Sequence, residues 1–187
     1  MKKLVLAAAL CAAVVLVSAP AAAQGTGGFQ FGLTGGLTKP NGTTSDTFDN
    51  GYHGGLVLNY ELPALPLGLR VDGDYHRLDA KTGASGASGS AEIIDGNANL
   101  VLGLRILVVK VYVLGGAGVY YNRFSGSAGG RSGTTLSETD FGWNAGAGAA
   151  FVVGKVSIFV EGRYHEVTLD NSAGKFKFIP VTAGILF

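Results

Sequence analysis

The chain has 187 residues, with 14 basic and 13 acidic side chains, a formal net charge of +1 and one cysteine, Cys11. Its near-neutral balance gives no support to nucleic-acid binding, and one cysteine excludes a disulfide within the chain. Hydrophobic residues make up 47% of the chain and charged residues only 14%, which is too apolar for an ordinary soluble surface. The 31 glycines and the frequent polar interruptions exclude long membrane helices after the N-terminal segment.

Residues 1–23 have the composition of a secretory signal peptide. Lys2 and Lys3 form a basic start, residues 4–17 form an apolar core, and residues 21–23 form a small-residue cleavage site. The apolar run is shorter than the roughly 20 residues that a spanning helix needs. We therefore expect a mature chain of residues 24–187 that forms a single domain, with 12 basic and 13 acidic residues.

The rest of the chain alternates apolar and polar residues in eight segments, which is the period of a β-strand. The predicted strands are residues 29–37, 52–62, 67–77, 93–106, 110–122, 140–152, 156–167 and 176–187. Long polar connections (38–51, 78–92, 123–139 and 168–175) alternate with tight ones near Pro63, Leu107 and Val153. Long outer loops and short periplasmic turns are typical of outer-membrane barrels. The pattern predicts an all-β fold: an eight-stranded, antiparallel, up-and-down transmembrane β-barrel.

The two faces of the predicted strands differ in charge. One face has no charged residue and is expected to contact lipid, where a Lys or Arg near the midplane would cost roughly 2–4 kcal/mol. Aromatic residues on this face lie near the strand ends and are predicted to form two interfacial girdles. The outer girdle is Tyr75, Tyr121, Phe141, Trp143 and Tyr164, and the periplasmic girdle is Phe29, Tyr60, Phe151 and Phe187.

The opposite face carries charges and is expected to line the lumen. An eight-stranded barrel is only wide enough for its own side chains to fill, so charges buried there must pair with one another. We predict an ion-pair network in which three arginines bridge five acids, in preference to acid–base catalysis. Its members are Glu61, Arg70, Asp72, Asp74, Asp95, Arg105, Glu161 and Arg163. The same packing argues against a wide diffusion pore.

Four segments resemble the family of small eight-stranded outer-membrane β-barrels, the group of outer membrane protein A, outer membrane protein X and the opacity proteins. They are VYVLGGAGVYY (111–121), FGWNAGAGAAF (141–151), FVEGRYHEV (159–167) and FIPVTAGILF (178–187). The resemblance implies a monomer in the outer membrane, in contact with its lipid and lipopolysaccharide. Ala183, Ile185 and Phe187 resemble the sorting signal read by the barrel-assembly machinery, although Ile179 stands where an aromatic is more usual.

Catalysis, a cofactor and a metal are not expected. His53, His76 and His165 lie on three strands without an i, i+2 pair, which favours hydrogen-bonded lumen histidines over a metal site. A barrel that modifies lipid A would need a His-x-Ser motif on the lipid-facing wall. Here His165 faces inward and is followed by Glu166 and Val167, and Ser157 lies near the periplasmic end of its strand.

The function predicted from these features is structural or a surface interaction, as in porin-like or adhesin-like barrels, because this fold serves many activities. The long loops would meet an extracellular ligand, with Arg77, Arg123 and Arg131 placed for phosphate groups. The alternatives are a narrow small-solute channel, a lipid A-modifying enzyme and a soluble ligand-binding barrel. The soluble barrel would invert the pattern and place charges outside.

Overall fold

The computed structural model describes residues 28–63, 65–81, 88–127, 135–169 and 174–187, so the predicted signal peptide lies outside the described residues. Eight strands and one short helix, α1 (Thr44–Thr47), follow one another along the chain. The strands are β1 (Gly28–Pro40), β2 (Gly51–Glu61), β3 (Leu67–Asp79), β4 (Ser88–Ile106), β5 (Val109–Ser127), β6 (Thr135–Val153), β7 (Val156–Thr168) and β8 (Lys175–Leu186). Among these residues, no helix is long and apolar enough to cross a membrane.

The strands form a closed barrel in sequence order. Each pairs antiparallel with the next, and β8 pairs antiparallel with β1, with Gly35 opposite Ala183. Two backbone hydrogen bonds between Phe31 and Phe187, at 3.3 and 2.8 Å, extend this seam to the end of the chain. The predicted all-β, eight-stranded, up-and-down fold is confirmed.

Two tight turns set the register at the periplasmic end. Val153 pairs with Val156, and Gly154 between them has a φ of 62°, which glycine adopts without steric cost. The turn between β4 and β5 places Leu107 at a φ of 57°, a region that a non-glycine residue adopts only at some strain. Both turns lie where the sequence pattern predicted short connections.

Six strands are longer than predicted, and three of them, β4, β5 and β6, by five or six residues. β4, β5 and β6 each have 19 residues, whereas β2 has 11 and β8 has 12. The prediction that residues 88–92, 123–127 and 135–139 are loop is therefore wrong. Their Ser, Gly and Thr residues still pair through the backbone, and Ala91 and Ile93 are fully buried on the inner face.

The additional residues of β4, β5 and β6 lie at the outer end of the barrel. Roughly 9–11 tilted residues span a membrane, so the strands continue past the predicted outer-girdle residues Tyr121 and Phe141. We call this extension, residues 88–93, 122–127 and 135–140, the outer sheet. Pairing of β6 with β7 begins only at Phe141 and Thr168, so the outer sheet rises above the β7–β8 side of the barrel.

Apolar side chains cover the outer wall of the barrel, and charged side chains are buried in its lumen. On the outer wall Phe31, Leu104 and Phe141 are 67%, 64% and 73% exposed, whereas in the lumen Asp72 and Glu161 are 2% and 1% exposed. Such a large apolar outer surface is stable only against an apolar solvent such as lipid. The soluble barrel considered above requires the opposite arrangement.

Candidate functional site: barrel lumen and outer rim

Apolar side chains fill both ends of the lumen. The cluster at the periplasmic end, here the periplasmic layer, consists of Val57, Val101, Tyr112, Leu114, Ala150, Val152, Phe159 and Leu186. The cluster at the opposite end, here the outer layer, consists of Leu78, Ala91, Ile93, Tyr120, Val167, Phe176 and Phe178, with Phe48 and Leu169 packed against it. The sequence pattern predicted charges and histidines in the lumen but not these apolar clusters. The alternation of side chains along β8 could have predicted that Phe176 and Phe178 point into the lumen, because they alternate with two outward lysines.

Between these layers lies a buried quartet of charges, Arg70, Asp72, Glu161 and Arg163. Arg70 Nε lies 2.7 Å from Asp72 Oδ1, and its Nη1 lies 2.9 Å from Glu161 Oε2. Arg163 donates two hydrogen bonds to Asp72, of 2.9 and 3.0 Å, and its Nε donates to Glu161. Each guanidinium thus contacts both carboxylates, as buried charges require.

The other four predicted network members lie apart from the quartet. Asp95 Oδ2 lies 2.9 Å from His76 Nε2, and Asp74 Oδ1 accepts a 2.9 Å hydrogen bond from Thr34. Glu61 pairs with Lys110, which the sequence analysis did not include.

Arg105 is the clearest error in the predicted network. It is exposed, and its Nε donates to the carbonyl of Leu107 at 3.0 Å. The predicted arginine bridges to Glu61, Asp74 and Asp95 are therefore wrong. The position of Arg105 in the alternation of β4 is that of a lumen residue. However, Arg105 lies next to the last residue of β4, and its side chain reaches the turn instead.

A polar layer that includes the three histidines separates the quartet from the outer layer. Thr38 Oγ1 lies 3.0 Å from His53 Nδ1 and 2.8 Å from His76 Nδ1, and His53 Nε2 lies 2.9 Å from Thr182 Oγ1. Every strand contributes to this histidine layer, through Thr38, His53, His76, Asp95, Asn97, Tyr120, Asn144, His165 and Thr182. The part of the chain that the structure describes has no group of three His, Cys, Asp or Glu arranged for a metal ion.

Two small cavities lie on either side of the quartet. Arg163 lines one of them with the three histidines, and Arg70 lines the other with Tyr112 and Phe159. Arg70 Cζ lies 4.9 Å from the centre of the Phe159 ring, which joins the quartet to the periplasmic layer. The lumen is thus a packed interior, with charges at the centre and apolar residues at both ends.

The predicted girdle residues are exposed or half-buried side chains of the outer wall. Phe29 packs on Tyr60 with ring centres 4.6 Å apart, and Trp143 packs on Tyr164 at 5.5 Å. Phe31 packs on Phe187 at 5.7 Å, a contact that the sequence analysis missed. Their placement fits rings at the two edges of an apolar band.

Comparison with known proteins agrees with this geometry. Residues 9–187 match the family of the outer membrane protein beta-barrel domain. The protein belongs to this family. The predicted resemblance is therefore confirmed, and the chain is an outer-membrane β-barrel. No curated protein matches it.

Solved structures of other outer-membrane barrels share the fold. Neisserial surface protein A is 20% identical, with 84% of this chain and 95% of that chain covered and a TM-score of 0.60. Ail, the attachment invasion locus protein of Yersinia pestis, was solved with the heparin analogue sucrose octasulfate; it is 22% identical, with 86% and 97% covered and a TM-score of 0.50. A major outer membrane protein of Thermus thermophilus is 17% identical, with 85% and 98% covered and a TM-score of 0.54. At these low identities, the similarity to the three structures establishes only that the fold is shared.

On the β3–β5 side of the outer rim of this outer-membrane barrel, arginines lie beside acids. Arg77 lies 3.7 Å from Asp79 and 3.9 Å from Glu92. Arg123 lies opposite Glu92 in the β4–β5 register, and Arg131 falls outside the described residues. Arg77 is 42% exposed but lies beside two acids, which weakens the expectation that it meets phosphate groups.

Proposed function

We propose that the protein is a non-catalytic outer-membrane barrel whose packed lumen anchors the outer sheet, which contacts an extracellular partner. The observation that carries this proposal is the unequal height of the wall. β4, β5 and β6 have 19 residues each, well beyond the roughly 9–11 that the membrane requires. Paired backbone keeps the extension ordered, so it presents a fixed surface.

The closed lumen supports an anchor rather than a small-solute channel. The quartet crosses the centre, and an apolar layer fills each end. A conducting path would have to separate buried ion pairs, which is strongly unfavourable.

The placement of polar side chains supports the absence of catalysis. Ser157 is 4% exposed and lies inside the barrel, away from lipid. The Nδ1 atom of His165 lies 2.9 Å from the Tyr120 hydroxyl, also inside. An unchanged mass spectrum of lipid A after expression is the expected result, and a new acylation state would contradict the proposal.

Export and assembly complete the proposal. Residues 1–23 would direct secretion, and Ala183, Ile185 and Phe187 would be read by the barrel-assembly machinery. Phe187 projects from the wall and is 44% exposed, so its ring is accessible at the periplasmic end. We expect heat-modifiable migration of the protein extracted from outer membranes. Recovery in the soluble periplasm would contradict membrane insertion.

A shortened variant tests the role of the outer sheet. Replacing residues 124–136 with Asn-Gly would join Arg123 to Ser137, which already face each other. Because one structural neighbour was solved with a heparin analogue, immobilised heparin is a suitable probe. Cells that express the full chain should be retained on heparin, and cells with the shortened barrel should not. Equal retention, with both barrels heat-modifiable, would contradict the proposed surface role.

A further inference from the structure

Two lysines are held side by side on the outward face of the barrel. Lys175 Nζ lies 2.5 Å from Glu166 Oε1, and Lys177 Nζ lies 3.3 Å from Glu166 Oε2. The Glu166 side chain is only 12% exposed, whereas those of Lys175 and Lys177 are 56% and 33% exposed. One carboxylate therefore positions two ammonium groups that remain open to solvent.

A third lysine joins them across the barrel seam. Lys39 lies opposite Ile179 in the β1–β8 register, and Lys177 is two residues further along the same outward face. Such diagonal neighbours lie about 7–8 Å apart. Asn41 N–H donates to the Lys177 carbonyl at 2.9 Å, which fixes β1 against β8 here. Among the described residues, this lysine patch (Lys39, Lys175 and Lys177) contains three cations beside one acid.

Aromatic rings lie directly below the lysine patch. Tyr164 donates from its hydroxyl to Glu166 Oε2 at 3.2 Å, and its ring packs on Trp143. Phe141 lies opposite Thr168 on the same side of the barrel and is 73% exposed. Aromatic rings favour the boundary between headgroups and hydrocarbon, so the lysines stand at headgroup level.

The opposite side of the rim differs in charge. There Arg77 lies within 4 Å of two acids, Asp79 and Glu92. Among the described residues, the β7–β8–β1 side of the rim thus has three lysines beside one acid. It coincides with the low side of the wall, where lipid headgroups can approach without contacting the outer sheet.

We propose that Lys39, Lys175 and Lys177 bind the phosphate groups of an anionic lipid of the outer leaflet, whose acyl chains pack on Tyr164 and Trp143. Ammonium groups bind phosphate as point charges, and aromatic rings below them suit the adjoining acyl chains. The site goes beyond the proposed function because it involves neither the outer sheet nor an extracellular partner. Glu166 takes part as a positioning residue.

The experiment is a binding titration of the folded, detergent-solubilised chain. Diphosphorylated lipid A is compared with phosphatidylcholine, with inorganic phosphate as the soluble competitor. Each Lys→Gln substitution should weaken lipid A binding about fivefold, and the triple variant K39Q/K175Q/K177Q about 100-fold. Binding should also weaken as salt rises. Arg77→Gln is the matched control: an outward cation of the rim that should leave binding unchanged.

Four results would overturn the proposal. They are undiminished binding by the triple variant, an equal loss in Arg77→Gln, equal affinity for phosphatidylcholine, and displacement by inorganic phosphate at comparable concentration. Single variants replace the triple one if it does not migrate as a folded barrel. The shortened outer-sheet variant should bind lipid A normally, which separates failure of this site from failure of the surface role.

Discussion

Arg163 on β7 and Asp72 on β3 form a bidentate ion pair across the lumen, with Nη1–Oδ2 and Nη2–Oδ1 distances of 3.0 and 2.9 Å. These strands are not neighbours in the barrel, so the pair fixes two distant parts of the wall to each other. Both side chains are 5% exposed or less, which makes the loss of either partner costly.

Removing the arginine should therefore destabilise the barrel. Arg163→Ala leaves Asp72 and Glu161 with one guanidinium between them, and should lower the free energy of unfolding by roughly 3–5 kcal/mol. Urea unfolding in detergent, followed by gel migration, measures the change. Arg105→Ala removes an exposed arginine whose Nε donates to a turn carbonyl, and it is expected to change stability little. Equal stability of Arg163→Ala and wild type would contradict the proposed structural role of the quartet.

Glycines facing the lumen should be much less tolerant than glycines facing lipid. A Cβ at Gly116 would collide with the backbone carbonyl of Ala98 and the side chain of Asn99, whereas one at Gly162 would meet nothing within 4 Å. Gly116→Ala should reduce the yield and thermal stability of the folded barrel because a backbone oxygen cannot easily move. Gly162→Ala is the matched control and should fold normally. Equal yield and thermal stability of the two variants would show that the lumen has space for a methyl group at Gly116, and would contradict the prediction.

The hydroxyl of Tyr120 should contribute more to stability than that of a tyrosine on the outer wall. It donates to Asn97 Oδ1 at 2.7 Å and lies 2.9 Å from His165 Nδ1, all within the buried histidine layer. Tyr120→Phe keeps the ring but leaves buried polar groups without this partner, at a cost of about 1–3 kcal/mol. Tyr164→Phe, whose hydroxyl contacts Glu166 at the rim, should cost less. Thermal unfolding of both variants in the same detergent makes the comparison, and a larger loss for Tyr164→Phe would contradict it.

The filled lumen should not conduct. Purified wild-type protein in planar bilayers is expected to give no single-channel steps, because ions would have to cross two apolar layers and the quartet. Detergent without protein and a large-pore porin serve as negative and positive controls. Reproducible steps from wild type, absent from the detergent control, would favour the small-solute channel instead.

The sequence pattern predicted the direction in which side chains point better than it predicted their partners. Period-two alternation placed Arg70, Asp72, Glu161 and Arg163 inside the barrel, because parity alone decides the face. Which charges meet depends on how strands shift past one another when the barrel closes. That shift brings Lys110 to Glu61 and leaves Arg105 beside the β4–β5 turn at the periplasmic end. Neither result can be deduced from the alternation of side chains along a strand.

The ends of the strands were harder to predict for another reason. Residues 88–92 are rich in Ser, Gly and Ala, which are typical of loops, yet they pair with β5. Their order depends on burial of Ala91 and Ile93 against residues far away in the chain, including Phe178. Such contacts between residues far apart in the chain cannot be predicted from local composition.

The antiparallel seam between β1 and β8 has a consequence for how the barrel forms. The other seven contacts join consecutive strands, which can pair as local hairpins, whereas Gly32 must meet Leu186 from the far end of the chain. Contacts between such distant residues form slowly, because the loop they close is long. Until then, β1 and β8 each present an unpaired edge that could pair with other chains. The last step of folding would therefore be the meeting of these two edges, which leaves no unpaired strand in the hydrocarbon.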